Sequence, residues 1–298
     1  MRRLGWVFQS LTALACLVIV AMLAVVLSDI VSHGTQELSL DFLIRPPENQ
    51  MKEGGILPAI IGTLALVILM TIAVIPLGVA TAVYMHEYAP KKSWVLGMVR
   101  AAIQNLAGVP AIVFGLFGLG FFIQFVGRGI DLAAFGGEMV YGKACILWAS
   151  LTMALLTLPT VVVTTEETLR AIPQSYREAA YCLGATRWQV IRKVVLPQAV
   201  SGILTGGILA VNRGAGEVAP ILLTGVTYYS PDLPTRLTDQ FMHLGYHVFI
   251  LTTQSTDVEA TKPVAYATVL VLLLLTLSLN FIAIMIRSRI RRRLRGGR

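Results

Sequence analysis

The chain has 298 residues, of which 56% are hydrophobic and 13% are charged. This charged fraction is about half that of an average soluble domain, so the composition indicates a membrane protein. The net charge of +8 is better explained by membrane orientation than by nucleic-acid binding, because its arginines concentrate in the tail at 287–298, directly after an apolar run. The three cysteines, Cys16, Cys145 and Cys182, are odd in number and far apart, which favours neither a disulfide framework nor a zinc site.

Six apolar stretches are long enough to cross a bilayer as helices, since a hydrocarbon core of about 30 Å requires roughly 20 helical residues. They run approximately over 5–28, 56–84, 100–126, 144–164, 197–225 and 263–286. Backbone groups cannot stay unpaired in lipid, and these stretches are too long for barrel strands. The sequence therefore predicts an all-α integral membrane protein, a bundle of six spanning helices. The first stretch follows a basic start, as in a signal peptide, but it exceeds a signal core in length and lacks a clear cleavage site, so we expect it to be retained.

The charges of the connecting segments predict the orientation of the bundle. The second and fourth connections are net basic, whereas the first and fifth are net acidic. Because Lys and Arg are retained on the cytoplasmic side, we expect both termini and the two basic connections in the cytoplasm. Within the stretches, Pro76 and Pro110 each remove a backbone hydrogen bond and favour a kink. Gly202 and Gly206 form a small-xxx-small pair that would allow another helix to approach closely.

The fourth connection contains a polar segment, EAAYCLGATRWQVIRKVVLPQA, at residues 178–199. Residues 173–183 are typical of a short helix that Gly184 ends, and Thr186 with Gln189 form the pattern of a capping box that starts a second helix. The residues alone leave two interpretations open: a protruding helix pair that binds a partner, or an interfacial loop that lies on the lipid headgroups.

Seven positions of this segment match a known signature: Glu178, Ala179, Ala180, Gly184, Val194, Leu196 and Pro197. Their spacing resembles the EAA signature of ATP-binding-cassette (ABC) importer permeases, EAA-x3-G-x9-I-x-LP, with Val194 in place of the isoleucine. In that family the protruding helices dock into a groove of a separate cytoplasmic ATPase, and the glutamate and the glycine fix the contact. The resemblance implies coupling helices at about 165–196. It also implies that ATP and Mg are bound by the partner, so that this chain binds no cofactor and performs no covalent catalysis.

A pair of opposite charges, Arg213 and Glu217, lies inside the fifth stretch. The two residues are one helical turn apart and would share a face of a helix. Charges within a span are costly and usually face the bundle interior or an aqueous path, so the pair is a candidate for the substrate pathway. Gly214 and Gly216 would permit a break in the helix there, and an arginine can offer a bidentate fork to a tetrahedral oxyanion. The alternative is an internal salt bridge that only fixes packing.

Three further stretches extend the resemblance to the A-type permease of phosphate-specific importers. They are RGAGEVAPILLTG, GGILPAIIGTLALV with IPLGVATAVYMHEYA, and the run at 241–280. Val218 replaces the threonine of the usual GET motif, so a hydroxyl is missing there. The resemblance covers most of the chain after Gly54 and implies phosphate as the substrate. It also implies three partners: a second homologous permease, an ABC ATPase dimer and an external phosphate-binding protein.

Several alternatives remain at this point. Chemistry alone does not choose the anion, so molybdate, sulfate and phosphonate stay open. A secondary transporter driven by an ion gradient would leave the EAA-like segment without a purpose, and no second half with repeated spans is evident. A purely structural scaffold would leave the intramembrane charges unexplained. We therefore predict residues 1–53 as a first span with an external loop, and residues 54–298 as an importer permease domain in the inner membrane.

Two weaker motifs carry no predicted function. Gly137-x4-Gly142-Lys143 resembles the start of a nucleotide-binding loop, but Ala144 stands where a magnesium-binding hydroxyl is needed. His243 and His247 have the spacing of a zinc-binding helix, but the glutamate of such a motif does not follow the first histidine. We expect an ordinary loop that contains two histidines, and no metal site.

Overall fold

The computed structural model describes residues 2–48, 53–90, 93–255 and 257–296. Within these residues, six helices are long and apolar enough to cross a membrane, which confirms the predicted six-span, all-α class. The six spans are Phe8–Glu37, Leu57–Tyr88, Ala111–Ala134, Ile146–Ala171, Arg187–Gly216 and Val258–Arg292. The orientation of the termini stays a prediction from charge.

The individual helices have the following bounds. They are α1 (Arg2–Glu37), α2 (Leu40–Ile44), α3 (Leu57–Val83), α4 (Trp94–Leu106), α5 (Ala111–Phe117), α6 (Arg128–Ala134), α7 (Ile146–Ala171), α8 (Gln174–Cys182), α9 (Arg187–Val190), α10 (Leu196–Gly216), α11 (Leu244–Thr253) and α12 (Val258–Gly296). Three π-helical turns continue α3, α5 and α9, at Tyr84–Tyr88, Gly118–Gly127 and Ile191–Val195. Two short strands, β1 (Pro47–Glu48) and β2 (Glu53–Gly54), pair antiparallel.

The third span differs from the prediction of 100–126. The chain forms α4, breaks at 107–110, and begins the spanning helix only at Ala111. Pro110 is the N-cap of α5, with φ −57° and ψ 139°, so the expectation that it kinks the interior of a helix was wrong. The physical reason is that proline disfavours the helical conformation of the residue before it, so a helix ends there. Pro76, in contrast, lies inside α3 as predicted.

Other boundaries also differ from their predicted positions: the first span reaches Glu37 rather than residue 28, and the fifth runs over Arg187–Gly216 rather than 197–225. The fourth spanning helix, α7, continues to Ala171, so the first residues of the segment predicted at 165–196 belong to a span. The predicted tail at 287–298 begins as a continuation of α12, which reaches Gly296 in the described chain. Arg287 of that continuation donates a hydrogen bond of 3.0 Å to the hydroxyl of Thr205 in α10.

The chain divides into two compact units. The first comprises residues 1–57 and 247–274, and its contacts include the Tyr266 hydroxyl, which donates to the Asp29 carboxylate at 2.9 Å. The second comprises residues 58–246 and 275–298 and contains the main apolar core. Side chains of α3, α7 and α10 meet in that core, and fully buried members include Leu66, Met70, Met153 and Ala210.

Close packing of α7 against α10 depends on small residues. A Cβ atom at Gly202 would overlap the side chain of Thr168, and one at Gly206 would lie 3.2 Å from Cβ of Thr164. This confirms the predicted approach of another helix to the glycine pair. Lipid is as apolar as a leucine side chain, so van der Waals packing of this kind, rather than the hydrophobic effect, holds spanning helices together.

The substitution Gly202→Ala is expected to destabilise the protein by about 1–3 kcal/mol, because the added methyl group must push α10 away from α7. Thermal unfolding of the detergent-solubilised protein checks this expectation. Gly97→Ala is the matched control, since a Cβ at Gly97 in α4 meets nothing within 4 Å. An unfolding temperature of Gly202→Ala equal to that of the control would contradict the packing described here.

Candidate functional site: a helix pair and an intramembrane ion pair

The segment between α7 and α10 folds as two short helices around a glycine. Helix α8 starts after Pro173, and the chain turns at Gly184, whose φ of +79° is a left-handed conformation that favours glycine. Thr186 and Gln189 then form a capping box. The Thr186 hydroxyl accepts from the Gln189 amide at 3.4 Å, and the Gln189 side chain accepts from the Thr186 amide at 2.8 Å. The predicted helix–glycine–helix arrangement is confirmed.

The seven positions of the EAA-like signature fall into an exposed and a partly buried group. The exposed ones are Glu178, Ala179 and Gly184; the partly buried ones are Ala180, Val194, Leu196 and Pro197. Ala180 and Leu196 pack against an apolar cluster that includes Leu169, Ile191 and Val195. The exposed group is therefore available to a partner, whereas the partly buried group joins the segment to the spans. That these seven residues dock an ATPase stays a prediction.

A buried arginine ties α8 to the bundle. The Arg177 side chain is 6% exposed, and its Nη2 and Nε donate to Oε1 of Glu87 at 2.8 and 3.2 Å. Its remaining donors reach the carbonyl of Ile172 at 2.9 Å and that of Leu169 at 3.0 Å. Glu87 lies at the end of the second span, and Leu169 and Ile172 lie at the end of the fourth. These contacts therefore join α8 to the second and the fourth spans.

Sequence reasoning missed this anchor, because Arg177 and Glu87 are separated by 90 residues. The only signal in the sequence is indirect: a carboxylate at the end of an apolar stretch and an arginine beside the signature glutamate.

The intramembrane charges form a pair where the fifth span ends. Helix α10 stops at Gly216, and Glu217 has an extended conformation, so the chain breaks at the predicted glycines. Arg213 Nε lies 3.8 Å from Glu217 Oε1, and the two side chains are 34% and 32% exposed. This separation is longer than a hydrogen bond, so Glu217 balances the charge of Arg213 without occupying its guanidinium fork. That the pair contacts an anion stays a prediction.

The surroundings of the pair are asymmetric. Gly214, the residue after Arg213, lies against the thioether of Met70 in α3, and so faces the core. Gly216 has open space where a side chain would stand. Arg213 and Glu217 thus lie between a packed face and an open one, which is a suitable position for a polar group beside a pathway.

The two weaker motifs take no part in this site. The amides of Val140, Tyr141 and Gly142 all donate to the buried carboxylate of Asp131, at 2.6 to 3.1 Å, so this glycine-containing loop binds a side chain of its own chain. His243 and His247 are both buried; His243 lies just before α11 and His247 lies in its first turn, so the expectation of a loop was wrong for His247. Burial lowers the pKa of both imidazoles. Among the residues that the structure describes, no group of three potential ligands could hold a metal ion.

Comparison with known proteins gives a consistent result. The profile of the family described as "Binding-protein-dependent transport system inner membrane component" matches residues 74–295. The "Phosphate transport system permease protein PstA" of Yersinia pestis is 36% identical over 213 residues, which cover 70% of this chain and 66% of the relative. The "Probable ABC transporter permease protein YqgI" of Bacillus subtilis is 32% identical over 211 residues, or 71% and 67% of the two chains. The matched segment spans about two thirds of these relatives' length.

Solved structures with the same fold are more distant in sequence. A bacterial alginate ABC transporter, in complex with a periplasmic protein that carries an alginate pentasaccharide, has a chain with a TM-score of 0.69 at 18% identity. That match covers 96% of this chain and 95% of the other. The MetNI methionine ABC transporter in an inward-facing conformation gives a TM-score of 0.54 at 18% identity, over 79% and 94% of the two chains. At these identities the likeness supports the fold alone.

Proposed function

Because the chain belongs to the family of binding-protein-dependent transport system inner membrane components, we propose that it is a permease subunit of an ATP-driven importer of inorganic phosphate. The protein is a multi-pass inner membrane protein. The observation that carries the phosphate assignment is the set of relatives named phosphate transport permease, among them the Yersinia pestis protein at 36% identity. The helix pair and the intramembrane arginine supply the two parts that such a subunit needs.

The first part is a helix pair through which an ATPase can move the spans. In this proposal the exposed residues Glu178, Ala179 and Gly184 contact an ABC ATPase, which binds ATP and Mg and hydrolyses the nucleotide. The Arg177–Glu87 pair transmits the resulting movement of α8 to the second span, and the contacts of Arg177 with two carbonyls transmit it to the fourth. The permease alternates between an outward and an inward opening without any covalent step of its own.

The second part is an anion contact in the pathway. Arg213 donates hydrogen bonds from its guanidinium group to the phosphate. Glu217 lowers the net charge of the site, so that the anion is not bound too tightly to be released. A second homologous permease completes the pathway on the open side of the pair, and an external phosphate-binding protein delivers the substrate. Val218 contributes no hydroxyl, so a guanidinium rather than a hydroxyl carries the recognition.

The experiment that tests this proposal is phosphate uptake by cells that carry Arg213→Gln. We expect uptake to fall at least tenfold, because a charge-assisted hydrogen bond to the substrate is lost, while the complex still purifies intact. Arg213→Lys keeps the charge without the fork and should retain part of the uptake. Arg236→Gln, which removes an exposed arginine after the fifth span, should leave uptake unchanged.

A complex that falls apart when Arg213 is replaced would assign the pair to packing instead.

A competition experiment identifies the transported anion. An excess of molybdate or sulfate that blocks phosphate uptake as well as unlabelled phosphate does would replace phosphate with a broader class of oxyanions.

A further inference from the structure

A basic cavity lies behind α8, on the face that the charge asymmetry assigns to the cytoplasm. Its volume is about 690 Å³, and its walls come from α4, α8, α9 and the ends of the second and fourth spans. Its charged lining includes four arginines and two glutamates: Arg100, Arg170, Arg177, Arg187, Glu87 and Glu166. The transport mechanism proposed above uses Arg177 and Glu87 but gives no role to the other four.

The two carboxylates do not balance the four guanidinium groups. Glu87 is engaged by the buried Arg177, and Arg187 donates to the backbone carbonyl of Glu87 rather than to a carboxylate. Glu166 accepts from Arg100 and, at 3.4 Å, from Arg170. The cavity therefore keeps an excess of about two positive charges, counted from these side chains alone.

One donor in the wall also has no acceptor. The Nε atom of Arg100 is buried, and within the described structure it has no hydrogen-bond partner. A buried donor without a partner is unfavourable, so a rotation of the Arg100 side chain that brings this donor to an acceptor in the cavity would stabilise the protein. Arg170 lies beside the same carboxylate with its side chain 67% exposed, which leaves its remaining donors free to turn toward a ligand.

We propose that this cavity binds a phosphate group, either as inorganic phosphate or as the headgroup of an anionic phospholipid. A phosphate group has several acceptor oxygens and up to two negative charges, and so matches both the excess charge and the planar forks of the arginines. A bound phosphate would link α4 and α7 to α8, since Gln174 and Tyr181 of α8 also line the cavity. Binding of a phosphate in the cavity would therefore shift the position of α8, the helix that we propose to contact the ATPase.

The test measures binding rather than transport, so its failure is distinguishable from failure of the proposed function. The complex is purified in a neutral detergent, and thermal unfolding is followed with inorganic phosphate against chloride of equal ionic strength. We expect phosphate to raise the unfolding temperature of the wild type. Arg170→Gln should require about tenfold more phosphate for the same rise in unfolding temperature, because one charge-assisted contact to phosphate is lost. The ion pair between Arg100 and Glu166 remains in this variant. Arg170→Lys should need less phosphate than Arg170→Gln.

Two control variants separate this cavity from other anion sites. Arg213→Gln removes the pathway arginine that we propose to contact phosphate, so it should lose only the pathway's share of the phosphate effect and keep the share that Arg170→Gln weakens. Arg289→Gln removes an exposed cation of α12 and should also keep it. A second measurement, native mass spectrometry of complexes released from nanodiscs that contain phosphatidylglycerol, counts the lipid molecules that stay bound.

Each result has a defined meaning. A phosphate effect that Arg170→Gln weakens and that persists in Arg213→Gln identifies free phosphate as the ligand. No phosphate effect, together with loss of a bound phosphatidylglycerol in Arg170→Gln but not in Arg289→Gln, identifies the lipid headgroup. The proposal is overturned if neither signal occurs, if Arg170→Gln behaves as the wild type, or if Arg289→Gln causes the same loss. A phosphate effect that disappears in Arg213→Gln places the anion in the pathway and also overturns it.

Discussion

Replacement of Glu178 by lysine will stop substrate uptake while the chain remains inserted in the membrane. Glu178 is exposed on α8, beside the buried Arg177 that ties this helix to two spans. A lysine there reverses a charge that we expect to face the ATPase, and like charges brought together at an interface cost several kcal/mol. We therefore expect an uptake at least tenfold below wild type, with ATP hydrolysis by the complex no longer stimulated by substrate.

Glu167→Lys provides the matched control, since it makes the same change of charge at another exposed glutamate, in α7. It should transport almost as well as the wild type. Normal uptake by Glu178→Lys would remove α8 from the proposed ATPase contact, and equal losses in both variants would indicate a general effect of surface charge.

The second large effect is expected from Arg177→Gln. This change leaves Glu87, whose side chain is 10% exposed, as a buried carboxylate without its cation, and it weakens the contacts to the carbonyls of Leu169 and Ile172. Breaking a buried ion pair from one side typically costs about 3–5 kcal/mol. We expect an unfolding temperature lower by about 10 °C in detergent and a loss of coupled ATP hydrolysis.

Two comparisons test the physical reason. Arg192→Gln removes an exposed arginine of the same segment and should change the stability by no more than about 0.5 kcal/mol. The double variant Glu87→Gln with Arg177→Gln removes both charges and should be more stable than Arg177→Gln alone, because no buried charge then lacks a partner. A double variant that is less stable than either single one would show that the geometry of the pair, and not its charge, holds α8.

Local signals in the sequence predicted those features that depend on local chemistry. The number of spans follows from apolar length, and the turn at Gly184 with the capping box of Thr186 and Gln189 follows from residue types at fixed spacing. The close approach of α7 to Gly202 could be predicted because a missing side chain leaves room for a neighbour. The Arg213–Glu217 pair could be predicted because charges are rare within a span.

Features that depend on distant parts of the chain could not be predicted in this way. The partner of Arg177 lies 90 residues earlier, and the partner of Arg100 lies 66 residues later. Hydropathy merged α4 with the third span, because the break before Ala111 is short and its residues are apolar enough to continue the stretch. His247 was expected in a loop, since nothing local indicates that it begins a buried helix.

The most direct test is to tag this chain in its native membrane, solubilise it gently and identify the proteins that co-purify. We expect a soluble ATPase and a second six-span permease in the purified complex, and we expect the chain alone to transport nothing after reconstitution. A lone chain that carries phosphate across a liposome membrane under an ion gradient would contradict the importer assignment and would identify a secondary transporter.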